Sequence, residues 1–361
     1  MKIIYISCYS ILGGRQANLT QILYTCDALT RKTKTLYLVL FVPLRKIFAT
    51  KKILEGIDKN LVIKIIPLPF LKIKGIYLLF DILSFLISMP LIFFDFKIYT
   101  RNQRFSRWIY SFKKKIFIEI HDLSNNTLNC LKRCKKALFL SNTKRIIKDI
   151  KKLDLDRKLI FHPNAAKLAK KVQLENLIKF KSPSIGYVGS NNIGKGINLI
   201  NNIAKLNPKL NYYLAGHINI ENIPNNVHLL GPLNKHQIRE MLEKIDLLIA
   251  PYQKEIFDNA GNDNSNYISP LKVFEYMASK KPFIVSRLEF TNDFLLEDYD
   301  CLMADPSNHN EWLFKIDKLL SDNFLSIRLS NNAYTKYKEN YTWEIRADKI
   351  IKIIGNGNLI S

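Results

Sequence analysis

Short apolar runs rich in β-branched and aromatic side chains recur along the chain, separated by longer stretches whose apolar residues fall at helical spacing. Residues 3–7, 36–42, 62–66, 96–100, 116–120, 137–140 and 159–161 read as strands. Such alternation is the pattern of a parallel sheet with crossover helices. It breaks at a polar, Lys-rich stretch from Ala166 to Pro183, and a second series follows at residues 184–188, 212–215, 228–230, 247–250, 283–285 and 301–303. The expected fold is therefore α/β, with two Rossmann-like doubly wound domains facing across a cleft, where open α/β sheets bind ligands beyond the carboxyl ends of their strands. The boundaries read as 1–165, a linker at 166–183, a second domain at 184–340, and a C-terminal helix at 341–361 that returns toward the first domain.

A chain of 361 residues is long enough for two hydrophobic cores, and 47% hydrophobic residues exclude a disordered protein. The apolar stretch from Ile76 to Phe94 raises the question of a membrane span, but Asp81 and Pro90 interrupt it and a strand follows at once. It reads as a half-buried domain helix, or as one that dips an apolar face into a bilayer interface beside Lys72 and Lys74. Five scattered cysteines, and a first segment that already reads as a strand, fit a reduced cytoplasm. Cys130 and Cys134, four apart, lack a second pair at zinc spacing and read as packed thiols.

The formal charge of +24 is unevenly spread. Residues 1–180 carry 35 of the 55 Lys and Arg but 11 of the 31 Asp and Glu, leaving 20 of each in residues 181–361. A basic first half and a neutral second half point to an anionic partner of the first, with a membrane surface or a charged lipid-linked acceptor favoured. Without a nucleic-acid motif or a series of base-stacking aromatics, nucleic acid is not the expected partner.

Chemistry concentrates in a few places. Ser269 reads as an N-cap and Pro270 as the first residue of a helix through Leu271, Phe274 and Met277, and a helix start favours phosphate oxygens through its amides and dipole. Glu275 lies nearly two turns in, within reach of nucleotide hydroxyls. Upstream, Gly189, Ser190, Gly194, Lys195 and Gly196 form a Gly-punctuated loop after a strand, with Lys195 placed to neutralise a diphosphate; Gly196 after the lysine breaks the P-loop pattern. Gly13 and Gly14 make a similar turn after the first strand, and His121 with Asp122 follows the strand 116–120 at its carboxyl end, where a catalytic or substrate-orienting role competes with a structural one.

In this order, Gly13-Gly14, Tyr99-Thr100-Arg101, His121-Asp122, Pro163-Asn164-Ala165, Gly189, Lys195-Gly196, Leu230-Gly231, Ser269 to Ala278, Lys281-Pro282 and Thr342-Trp343, the chain resembles the retaining glycosyltransferase family Four of the GT-B superfamily over essentially its whole length. The resemblance implies a nucleotide sugar (UDP- or GDP-linked) in the second domain, with Lys195 on the diphosphate, Ser269, Pro270 and Leu271 backbone on its phosphates, and Glu275 on the ribose. It implies a glycan or lipid-linked acceptor in the first domain, His121 at the reaction centre, no metal and no cofactor. The expected setting is bacterial surface polysaccharide or lipopolysaccharide synthesis, by a cytoplasmic protein peripheral to the inner face of the plasma membrane. A non-catalytic member of the fold and a nucleotide-sugar epimerase are the alternatives. Two positions depart from the family: Ser190, where a basic residue is usual near the glycine, and Tyr267, where many relatives carry Glu; Asp258 and Asp263 are the nearby carboxylates.

Overall fold

A computed structural model describes residues 1–7, 16–43, 61–68, 82, 83, 85, 86, 89, 90, 96–168, 179–257, 261, 263 and 265–356. The chain divides into two compact units, Met1–Asn164 with Trp343–Ser361, and Ala165–Thr342. Gly13, Gly14 and Asp258, together with most of the apolar stretch from Ile76 to Phe94, lie outside the described residues.

The first unit is built on a parallel sheet of β1 (Lys2–Ser7), β2 (Thr35–Pro43), β3 (Leu61–Leu68), β4 (Phe96–Thr100), β5 (Ile116–Ile120), β6 (Leu138–Ser141) and β7 (Lys158–Phe161), in the spatial order β3-β2-β1-β4-β5-β6-β7. The order reverses between β1 and β4, the topological switch point of a doubly wound sheet. Covered on both faces by helices, such strands read as continuous apolar runs, which is why all five residues of β5 are buried, Glu119 among them. The described helices are α1 (Gln16–Thr30), α2 (Gln103–Ile109), α3 (Asn125–Arg133), α4 (Lys144–Lys152) and α11 (Trp343–Asn356), the last of the described helices. Tyr24 of α1 stacks on Trp343 at 5.6 Å between ring centroids, and Lys32 pairs with Asp348, so the final helix packs against the first. Cys26, Cys130 and Cys134 are buried free thiols of this unit, and Cys301 of the other.

The second unit holds β8 (Ser184–Val188), β9 (Asn211–Ala215), β10 (Val227–Gly231), β11 (Leu247–Ala250), β12 (Phe283–Ser286) and β13 (Leu302–Ala304), again all parallel, in the order β10-β9-β8-β11-β12-β13. Its helices are α5 (Ile197–Leu206), α6 (Lys235–Lys244), α7 (Leu271–Ser279), α8 (Glu289–Asn292), α9 (His309–Ser321) and α10 (Asn323–Asn340). Here the switch point falls between β8 and β11. A core of Tyr187, Ile200, Tyr212, Ile249 and Trp312 packs α5 and α9 on one face of the sheet. Among the described residues no helix is long and apolar enough to cross a membrane.

Candidate functional site

In the second unit the loop after β8 is fixed by backbone hydrogen bonds to the loop after β9, Gly189 N to Ala215 O at 2.9 Å and Asn191 N to His217 O at 3.2 Å. A tight turn, Lys195 N to Asn192 O at 3.0 Å, then delivers Lys195 and Gly196 into α5. Gly196 has φ +78°, and a Cβ there would lie 1.8 Å from the Pro251 carbonyl oxygen, so the loop is locked against the chain leaving β11 and only glycine fits. Both loops therefore sit at the carboxyl ends of the switch-point strands.

Helix α7 is held to the same place by Tyr276. Its buried hydroxyl donates to Ile249 O of β11 at 3.2 Å and accepts from Val188 N of β8 at 3.1 Å, bridging the two strands at which the order reverses. The helix begins one residue later than the sequence suggests. Pro270 takes a non-helical ψ of 87° and its carbonyl accepts from Val273 N and Phe274 N, which makes Pro270 the N-cap rather than the first helical residue. Ser269 is thereby displaced outside the helix, its buried hydroxyl makes no hydrogen bond within the described residues, and no side chain caps the first turn.

Three side chains and one backbone carbonyl converge between these elements. The Lys195 ammonium lies 5.0 Å from the centre of the Tyr252 ring, and burial lowers its pKa to about 8. Lys272, in the first turn of α7, stands 3.8 Å over the Tyr187 ring and 5.2 Å from that of Tyr252. Burial first, then the charge of Lys195, pushes its pKa well below the usual lysine range, against the pull of Glu275. Glu275 is pushed up to about 7 by burial, opposed by Lys272 and Lys235. Ser190 contributes its carbonyl, which accepts from the Tyr187 hydroxyl at 3.1 Å. Two ammonium groups and an uncapped helix start, against one carboxylate close to its own titration, make a pocket poised for an anion.

In the first unit, His121 follows β5 directly, and its Nε2 lies 2.9 Å from Oε1 of Glu119, which alternation places on the same face of the strand. Glu119 also accepts from Arg346 of α11 at 2.7 Å and from the Tyr99 hydroxyl, while Arg346 Nε donates to Pro163 O at 3.1 Å. Burial works to raise the Glu119 pKa, but Arg346, Arg101 and His121 outweigh it and hold the carboxylate well below its usual range. An ionised Glu119 can only accept, so Nε2 of His121 carries the proton and donates it to this hydrogen bond, which leaves Nδ1 as the acceptor. Burial and Arg101 depress the imidazole pKa, against Glu119, so the ring is neutral near pH 7. Asp122 is occupied locally: its Oδ1 accepts from Ser124 N at 2.9 Å and from the Thr127 hydroxyl at 3.0 Å, holding the turn into α3.

Residues 169–336 match the family model described as glycosyl transferases group 1. The chain carries a group 1 glycosyl transferase domain. An uncharacterized glycosyltransferase of Methanocaldococcus jannaschii is 25% identical over 125 residues, an alignment that spans 35% of this chain and 32% of that protein. Anabaena HepE, solved in complex with UDP, superposes at a TM-score of 0.68 with 14% identity, covering 99% of this chain and 100% of the other. The apo form of the lipopolysaccharide outer core galactosyltransferase WaaB gives 0.69 with 11% identity, covering 99% and 100%. At these identities the structural likeness establishes the GT-B fold.

Within the glycosyl transferase domain the structure brings Gly189, Ser190, Lys195, Ser269, Pro270, Leu271 and Glu275 to one end of one sheet. Sequence reading gave Lys272, Tyr187 and Tyr252 no role, although the first two lie within the segments it singled out. The signal for Lys272 was present: three residues before Glu275 on one helix, it shares that residue's face. Glu119 and Arg346 were also passed over, the first hidden in a buried strand and the second 227 residues away. Among the described residues no cluster of three His, Cys, Asp or Glu side chains suited to a metal ion occurs.

Proposed function

We propose that the protein transfers a sugar from a UDP- or GDP-sugar to a glycan or lipid-linked acceptor, with retention of anomeric configuration, in surface polysaccharide or lipopolysaccharide synthesis. The observation that carries the reading is the meeting of Lys195, the uncapped start of α7 and Glu275 at the switch point of a sheet inside a group 1 glycosyl transferase domain. The departing nucleoside diphosphate is the charge that develops in such a reaction, and fixed donors in a water-poor pocket stabilise it most. Lys195 and the backbone N–H groups of Ser269 and Leu271, on either side of Pro270, supply that stabilisation without a metal, and Glu275 accepts from the ribose. The UDP bound to HepE, and the lipopolysaccharide outer core on which WaaB acts, favour a uridine donor and a surface-glycan acceptor.

The first unit is assigned the acceptor, with His121 at the reacting centre, its neutral Nδ1 serving as hydrogen-bond acceptor, and Asp122 shaping its turn. The basic character of this half fits a cytoplasmic protein held at an anionic membrane surface. Exposed Lys114, Lys115, Lys136 and Lys158 at the amino ends of β5, β6 and β7 ring a hollow of about 270 Å³, at the opposite end of the strands from His121.

The deciding experiment is thermal unfolding of the purified protein with UDP, GDP, ADP and CMP. A ligand bound only by the folded state raises the melting temperature by an amount set by its affinity. One nucleoside diphosphate should raise it, and the rise should disappear in Lys195→Ala and Glu275→Ala. Cooperative unfolding with no response to any of the four refutes the donor site.

A further inference from the structure

We infer that Lys272 is the second cation of the phosphate subsite, taking over from α7 the position that the loop after β8 leaves without a charge at Ser190. The inference rests on the donor-site reading above and adds a residue to it. Three observations carry it.

First, the ammonium of Lys272 reaches the loop itself. A Cβ built on Gly189 would lie 2.7 Å from Lys272 Nζ and 2.6 Å from the Tyr187 hydroxyl, so the space beside this glycine is filled by a side chain from another element. Any larger residue at position 189 would displace the ammonium. Second, Lys272 Nζ is shut off from solvent and has no hydrogen-bond partner among the described residues, although the stem of the side chain keeps some exposure. A buried ammonium without an acceptor is costly and is retained where an anion completes it. Third, its surroundings select an anion of more than one charge. Lys195 and Lys272 both face the Tyr252 ring, their charges repel, and Glu275 is the carboxylate whose charge Lys272 feels. A single monovalent group satisfies one ammonium at most, whereas a diphosphate presents oxygens to both and to the first turn of α7. The Tyr187 and Tyr252 rings hold the two cations in place through their faces while the site waits for phosphate.

The test is calorimetric titration of Lys272→Met with UDP, GDP, uridine and guanosine, beside the wild type. Methionine keeps the apolar stem and removes a buried charge, so the variant should fold with an unchanged or higher melting temperature. Its affinity for the nucleoside diphosphate that the wild type binds should fall at least tenfold, with nucleoside affinity unchanged. At pH 8 wild-type binding should take up protons, measured by comparing buffers of different ionisation enthalpy, and Lys272→Met should take up fewer. Adding Ser190→Arg to Lys272→Met should restore part of the lost affinity. Wild-type affinity in Lys272→Met, or no recovery with Ser190→Arg, overturns the assignment while leaving the donor site standing. If the wild type itself binds neither UDP nor GDP, the donor-site reading fails and Lys272 with it.

Discussion

Replacing Lys195 by methionine should make the protein more stable and less able to bind nucleotide. Burial has brought this ammonium from an ordinary 10.5 down to about 8. At ~1.4 kcal/mol for each tenfold change in proton affinity, the folded state carries a charge penalty of at most ~3.5 kcal/mol. The side chain retains some solvent, which reduces the expected gain in Lys195→Met to ~1–2 kcal/mol at pH 7. The sign of the pH dependence follows from a depressed lysine. Below pH 8 the folded and unfolded chains both carry the proton and the penalty is complete. Between 8 and 10.5 the folded protein releases it first, so wild-type stability rises relative to the variant, and above 10.5 the difference is gone. Urea midpoints of the two proteins at pH 7 and pH 9.5 read this directly, and the same samples report loss of nucleoside diphosphate stabilisation. A variant that is less stable than the wild type by the same amount at both pH values would refute the reasoning, because it would mean that the charge is satisfied within the fold.

Arg346→Met should strand the buried Glu119 carboxylate and cost about 3–5 kcal/mol, while Arg346→Met with Glu119→Gln should cost less than the two single changes together, as urea denaturation of all four proteins would show. Because Glu119 is depressed below the usual glutamate range, its contribution is present above about pH 4.5 and fades as pH falls through its folded value; Glu119→Gln should flatten that acid limb in unfolding measured from pH 6 to pH 3. Nitrogen-15 spectra of the histidines should show His121 neutral at pH 7 with its proton on Nε2, and a titration midpoint above the ordinary 6.5 would contradict the assigned balance of burial and Arg101 over Glu119. Replacing Lys114, Lys115, Lys136 and Lys158 by glutamate should abolish pelleting with phosphatidylglycerol vesicles and leave nucleotide stabilisation intact; equal pelleting would remove this face as the basic contact.

The strands were legible because parallel strands buried on both faces leave an unbroken apolar record. Residues 96–100, 116–120, 184–188 and 247–250 read from sequence coincide with β4, β5, β8 and β11. The two doubly wound sheets followed from the alternation. The start of α7 was misplaced by one residue, since Ser-Pro before an amphipathic run fits two cap registers and only the Pro270 ψ chooses between them. Residues whose function depends on tertiary proximity stayed hidden. Lys272 reads as one polar position on an ordinary helix until Gly189 and Tyr187 come beside it, and Glu119 in a strand gives no hint of an arginine supplied by the last helix. Asp122 was singled out for its place beside His121, while its spacing to Ser124 and Thr127 already spelled a turn.

The ends of the second unit lie side by side: Ala166 pairs with Thr342 in a parallel bridge, its amide donates to Tyr341 O at 3.0 Å, and its carbonyl accepts from the Tyr337 hydroxyl at 3.0 Å. The second unit is thus an insertion within the first, with a closed neck. During synthesis the 178 residues of Ala165–Thr342 emerge whole before the helix carrying Arg346 does, so the inserted half is free to fold first. Glu119 must wait for its partner until the second unit has been made. The first unit is therefore completed only after the second, and a chain truncated before Trp343 would keep the whole second unit but leave the buried carboxylate of the first without its arginine.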